Sequence, residues 1–325
     1  MKMNEEVLAP IVFFAYNRPE HTERVLSALM CNKLANESKL YIYVDGIKEG
    51  ASLEEKSKIQ LVRTIVSKKK WCQEVTIKIS DENAGCRNSI IQGITEVIDK
   101  YGKAIILEDD ILTSAAFLIY MNKALDMYEH RFSVFSISGH SYSPNNVKIP
   151  EDYEYDAYIS PRLFNWGWAT WKDRWNQVDW DMDFVPEFVK HTYETAAFNR
   201  GGEDMTSMLI EQYTGKIDAW DIQFAFTHFA NHAVSIVPCQ SYTINIGFDG
   251  SGTHCAVNKN MDRVKLNENE YPVFPIVLYE NKQILNSLYS FYYPKKRPIW
   301  KKIINRIYRF LGNKNVFDLK KKVYV

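Results

Sequence analysis

Through its first 140 residues the chain alternates short apolar runs with longer amphipathic stretches. The runs Ile11–Tyr16, Leu40–Val44, Val75–Ile79, Ala104–Leu107 and Val134–Ile137 read as strands. The intervals 19–31, 52–70, 87–101 and 113–131 read as helices. Pro19 suits the first turn of its helix, and Glu20 and Glu23 suit the positive end of the helix dipole. This alternation predicts an α/β fold with a mostly parallel central sheet and flanking helices. Each predicted strand ends in polar residues: Asn17-Arg18, Asp45-Gly46, Asp81-Glu82-Asn83, Glu108-Asp109-Asp110 and Gly139-His140. Ligands of open parallel sheets bind at these carboxyl ends, although strand-to-helix turns also favour Asp, Asn and Gly for backbone reasons.

After about residue 140 the rhythm breaks. Loops lengthen, and residues 162–180 hold five of the eight tryptophans. Trp168, Trp171 and Trp175 fall at i, i+3 and i+7, which predicts one face of a helix. The second half is expected to be α+β and to cover the site rather than extend the sheet. Three regions follow: an α/β ligand-binding half over 1–140, a second half of the same domain over 141–260, and a C-terminal extension over 261–325.

The stretch Ala104-Ile-Ile-Leu-Glu-Asp-Asp-Ile-Leu112 places three adjacent acids between apolar runs. Two carboxylates about 4 Å apart repel by roughly 4 kcal/mol at an effective dielectric near 20. A solvated acidic turn is one solution. A divalent cation carrying a phosphate ligand is the other, and it makes the triplet an enzyme site.

Composition narrows the partners. Formal net charge is zero, so nothing in the overall field points to nucleic acid. The five cysteines are scattered without a CxxC, which fits a reducing cytoplasm. Neither a signal peptide nor a membrane-spanning run is expected. Lys and Arg crowd the stretch from Lys295 onward, opposed only by Asp318, with Trp300, Ile303, Ile304, Ile307 and Leu311 at helical spacing. Such a basic amphipathic helix can lie on an anionic membrane surface, or dock on its own domain with a solvated basic face.

No GxGxxG follows the first strand and no GxxxxGK[ST] occurs, so a bound nucleotide must be held by side chains and a metal. The ordered set Ile11-Val-Phe-Phe-Ala-Tyr-Asn-Arg-Pro19, Tyr43-Val-Asp-Gly46 and Ile106-Leu-Glu-Asp-Asp110 resembles GT-A glycosyltransferases. The likeness is to the N-acetylglucosaminyltransferase I type and bacterial surface-polysaccharide relatives, and it covers roughly residues 9–255. It implies a GT-A type fold in which Asn17 and Arg18 meet the nucleotide, Asp45 pairs with uracil and Asp110 binds Mn²⁺ or Mg²⁺. Glu108 would hold donor-sugar hydroxyls, Asp109 would support the metal or ribose, and Phe164, Trp166 and Gly167 would wall the sugar pocket.

The side chains suit these roles. Arg18 offers a planar fork for diphosphate, and Asp45 can accept a base N–H, although an Asp-Gly turn needs no ligand. Arg87 starts the third helix and could reach phosphate or form a surface ion pair. Transfer to a hydroxyl with inversion needs a base, for which the resemblance implies Asp221, with Asp218 second. His254, closing the glycine-rich Asn245–His254 loop, could touch diphosphate or metal. The expected activity is metal-dependent, inverting transfer from a UDP-sugar, of the UDP-GlcNAc kind, to a bacterial surface glycan or lipid-linked acceptor. Its expected place is the cytoplasm, peripheral at the inner membrane face through residues 295–325. The rival readings are a nucleotidyltransferase and a non-catalytic nucleotide- or sugar-binding protein.

Overall fold

The computed structural model describes residues 8–249 and 265–293. His254 and the basic stretch from Lys295 lie outside the described residues. The first half follows the apolar pattern closely. Strands β1 (Ile11–Ala15), β2 (Lys39–Val44), β3 (Glu74–Ile79) and β4 (Lys103–Glu108) alternate with helices α1 (Pro19–Met30), α2 (Leu53–Ser67) and α3 (Cys86–Tyr101). After β4 come the short strand β5 (Ile111–Thr113), helix α4 (Phe117–Tyr128) and strand β6 (Val134–Ser138). Local signals set the boundaries. Pro19 opens α1, Ser52 caps α2 by accepting the Glu55 amide at 3.1 Å, and left-handed Gly102 ends α3.

The second half adds strands β7 (Ala157–Ser160), β8 (Trp168–Trp171), β9 (Val234–Pro238) and β10 (Thr243–Asn245). Short helices α5 (Lys172–Trp175), α6 (Val185–Phe188), α7 (Thr192–Phe198) and α8 (Met205–Tyr213) precede α9 (Asp221–Ala230), and α10 (Lys282–Tyr292) follows β10. The main sheet has eight strands in the order β3-β2-β1-β4-β8-β6-β9-β7. Strands β1 to β4 pair in parallel. Strand β8 runs antiparallel between β4 and β6, and this restores β6 and β9 to the direction of β4. The second half therefore extends the sheet, contrary to the expectation that it only covers the site.

The tryptophan spacing also needs a correction. Trp168 and Trp171 belong to strand β8, and only Trp175 ends a short helix. An i, i+3 pair shares a helix face but falls on opposite faces of a strand. Trp168 packs with Trp175 and Trp220 on one face of the sheet, and Trp171 joins the core on the other. The aromatic and β-branched run Trp-Ala-Thr-Trp fits a central strand, where pairing on both edges outweighs the helical coincidence.

Two apolar layers flank the sheet. Ile11, Phe13 and Ala15 of β1 pack with α1, α2 and α4, while Val12 and Phe14 pack with α3, α8 and α9. A third cluster seats Ile284, Leu288 and Tyr292 of α10 against Tyr158 and Val237. Gly167 turns the chain into β8 at φ +72°, and a Cβ there would lie 2.8 Å from Thr243 Cγ2. Gly167→Ala is expected to cost roughly 1–3 kcal/mol from backbone strain and overpacking. Thermal denaturation should show a lowered Tm, and an unchanged Tm would contradict this placement.

Candidate functional site

The acidic triplet sits where the chain leaves one sheet for another. Strand β4 ends at Glu108, opposite Phe14 of β1. Asp109 and Asp110 make the turn, and Ile111 starts β5, which pairs with β10 in a separate two-stranded sheet. Apolar packing on both sides buries Asp109 and Asp110 to 3% and 8% exposure. Arg18, just beyond β1, reaches both: Nη2 pairs with Asp109 Oδ1, and Nη1 lies 3.1 Å from Asp110 Oδ2. Register explains the meeting, because β1 and β4 are parallel neighbours and their carboxyl ends share one edge.

Charge balance at this edge is unfavourable. Burial, then Asp110 and Asp109, push Glu108 up to about 8, with Arg18 opposing. Burial also lifts Asp109 to about 6, with the Arg18 charge countering and Asp110 adding. The Glu108 carboxylate makes no side-chain hydrogen bond among the described residues.

The second half brings its own acids to this place. Asp221 opens α9 and bears electrostatically on Glu108. Its Oδ1 accepts the Ile222 amide at 2.9 Å, and its Oδ2 accepts from Asn165 Nδ2 at 3.2 Å. Asp218 is exposed. The Asn165 loop is anchored on both sides. Arg162 makes a paired ion contact with Asp204 at 2.9 Å, and Thr243 Oγ1 donates to the Trp166 carbonyl at 2.7 Å. A small cavity borders Asp221, walled by Leu163, Met205, Met208 and Ala225.

Other expected residues have different surroundings. Asn17 donates to Glu55 at 3.3 Å. Asp45 receives Gly46 N and Ala84 N on Oδ1, and Asn83 Nδ2 and Gly85 N on Oδ2. These four donors fill its lone pairs and tie the β2 and β3 ends together. Arg87 donates to Gln223 Oε1 at 3.0 Å and to the Trp180 carbonyl at 3.2 Å, clamping α3 to the second half. Phe164 is buried beside Tyr142 and His140. Partly exposed Trp166 makes tilted ring contacts with His140 and Phe248. Sequence singles out neither Asn165 nor Gly247, and it marks His140 only as one of the polar strand ends. Asn165 was hidden among tryptophans, Gly247 within a glycine-rich loop, and His140 at a strand end with no motif around it. His140 is buried with Nε2 lacking a partner, and burial lowers it to about 3.

The donor set fits a hard divalent cation. Asp109 and Asp110 offer carboxylate oxygens, and Arg18 is the cation paired with them among the described residues. No group of three His, Cys, Asp or Glu side chains gathers among the described residues. Such a site suits Mn²⁺ or Mg²⁺ with one or two carboxylates, the other ligands coming from phosphate and water.

No family model matches the sequence, and no curated protein is similar to it. Several solved structures overlap it loosely. A mannosyltransferase, PcManGT from Pyrobaculum calidifontis, solved with GDP-Man and Mn²⁺, overlaps 68% of this chain and 74% of its own at 11% identity and a TM-score of 0.39. S. aureus TarS 1-349 overlaps 73% of this chain and 59% of its own, at 9% identity and a TM-score of 0.41. The 4-diphosphocytidyl-2C-methyl-D-erythritol synthase of Anaerococcus prevotii overlaps 75% of this chain and 93% of its own, at 10% identity and a TM-score of 0.39. Overlaps this loose say nothing of substrate, and the chemistry rests on the side chains.

The buried acids make a testable link between pH and stability. Glu108 holds its proton to about 8 when folded, against 4.5 ordinarily. Its contribution is therefore fully present below about pH 4.5 and is lost as pH rises through about 8. Glu108→Gln cannot ionise. Its Tm relative to wild type should rise steadily from pH 5 to pH 8, by roughly 2–4 °C for each kcal/mol relieved. A difference that stays flat across this range would refute the charge-crowded placement of Glu108.

Proposed function

We propose that this chain is a metal-dependent, inverting glycosyltransferase that moves a sugar from a UDP-sugar, of the UDP-GlcNAc kind, to a hydroxyl of a bacterial surface glycan or lipid-linked acceptor. One observation carries the reading. Arg18 gathers Asp109 and Asp110 at the carboxyl edge of the sheet beside Glu108, and Asp221 from the second half bears electrostatically on Glu108.

The roles follow from the groups. Asp110, supported by Asp109, would hold Mn²⁺ or Mg²⁺, which when bound would offset charge on the departing diphosphate. The Arg18 fork suits diphosphate oxygens. Glu108, whose side chain makes no hydrogen bond among the described residues, is suited to sugar hydroxyls, and Trp166 offers an aromatic face. Asp221 takes the proton of the acceptor hydroxyl as its oxygen bonds to the anomeric carbon, and the bond to UDP breaks on the opposite face with its electron pair leaving on the diphosphate. Asn165 steadies that carboxylate. Asp45 would reach uracil only by exchanging a donor it already has. Asp218, on the exposed side, is the alternative base.

The enzyme would work in the cytoplasm, resting on the inner membrane face through residues 295–325. Among the described residues no helix is long and apolar enough to cross a membrane. Deleting residues 295–325 should abolish salt-sensitive binding to anionic vesicles, and equal binding by the truncated protein would remove the membrane placement.

Thermal shift with a panel of nucleotides tests the site. UDP should stabilise the protein only with Mn²⁺, and Asp110→Ala should abolish the effect. Stabilisation by nucleoside triphosphates alone would favour a nucleotidyltransferase instead. Asp221→Asn should lower transfer by about 10²–10⁴-fold with UDP affinity near wild type. Full activity in that variant would shift the base to Asp218.

A further inference from the structure

Arg18 occupies an unusual position for a phosphate ligand. Its fork is divided between two carboxylates, Nη2 on Asp109 and Nη1 on Asp110 at 3.1 Å. Both acids are buried, and the backbone of β10 and its following turn closes over the pair. Ile246 N donates to the Asp110 carbonyl at 2.8 Å. A Cβ on Gly247 would lie 2.7 Å from Asp110 Oδ2 and 3.0 Å from Arg18 Nη1. The Arg18 main chain is fixed, since its carbonyl accepts Thr22 N at 2.9 Å and Thr22 Oγ1 at 2.8 Å. Only the side chain is placed to move.

We propose that Arg18 is the resident cation of the metal subsite, and that metal and nucleotide diphosphate bind cooperatively because the metal displaces Arg18 and the diphosphate receives it. This rests on the glycosyltransferase reading of the same site. A divalent ion that takes the Asp109 and Asp110 oxygens comes to lie beside a guanidinium sharing them, and the two cations repel. Without nucleotide, the metal must break two buried ion pairs and leave Arg18 with no anion. Nucleotide alone meets an Arg already engaged by the Asp109 and Asp110 carboxylates, which repel phosphate. Together, metal and diphosphate exchange partners so that every charge is matched. By linkage, each ligand raises the affinity of the other by the same factor. Gly247 keeps the roof of the subsite low, and any larger residue would press on the pair that has to open.

The test measures Mn²⁺ binding to the full chain without nucleotide, from the electron paramagnetic resonance of free Mn²⁺, then repeats it with saturating UDP. Arg18→Met should bind Mn²⁺ alone about tenfold or more tightly than wild type, bind UDP with Mn²⁺ more weakly, and lose most of the coupling between them. Arg18→Lys keeps the charge on a point donor that cannot span both carboxylates, so its Mn²⁺ affinity should fall between the two. It carries the comparison if Arg18→Met does not fold. Unchanged or weaker binding of Mn²⁺ alone in the folded variants overturns the role of Arg18 and leaves the glycosyltransferase reading standing. A wild type that binds no UDP even with Mn²⁺ overturns that reading and this inference with it.

Discussion

The ion contacts of Arg18 with Asp109 and Asp110 are the constraint around which this molecule is arranged. Three successive acids stand at the end of a buried strand, and apolar packing resumes directly after them. Leaving such carboxylates without a counter-charge inside a protein is costly. The parallel pairing of β1 with β4 solves the problem by bringing one guanidinium to their level. The solution is incomplete. Among the described residues Arg18 is the cation paired with these acids, and burial, with mutual repulsion, makes Glu108 and Asp109 resist ionisation. Crowded, unfavourable charge of this kind suits the binding site proposed for this edge.

The second half of the chain completes the site by joining the same sheet. Antiparallel β8, inserted between β4 and β6, ties the two halves through backbone hydrogen bonds instead of a loose interface. Around it, Trp168, Trp175, Trp220 and Phe224 pack into one cluster. Trp220 immediately precedes Asp221, so the aromatic core determines where that carboxylate emerges. The Arg162–Asp204 contact and the Arg87–Gln223 contact brace the segments around it. Positioning of Asp221 is thus a property of the packed core, with Asn165 making the last adjustment.

Much of the first half was legible from sequence. Five apolar runs and four amphipathic intervals specified their elements to within a few residues, because strands buried on both faces and helices docked on a sheet impose strong local patterns. The row of polar strand ends and the acid triplet marked the sheet edge where the site is proposed. Legibility failed where one pattern served two periods. Trp168 and Trp171 fit a helix face and also opposite faces of a strand, and only pairing partners distant in sequence decided between them. Roles read from residue type also shifted in context: Asp45 and Arg87 suit a nucleotide chemically, yet the fold engages them in ties between segments.

By itself, the sequence determined the α/β alternation, the acid triplet, the candidate Arg18 beside it and the absence of a glycine-rich phosphate loop. Tertiary structure decided which charges meet. Arg18 and Asp110 lie far apart in the chain and join because β1 and β4 are neighbours, and β8 draws the second half onto the same sheet. Hydrophobic periodicity is a local property written every few residues, whereas electrostatic partnership depends on strand order and register, which no local window contains.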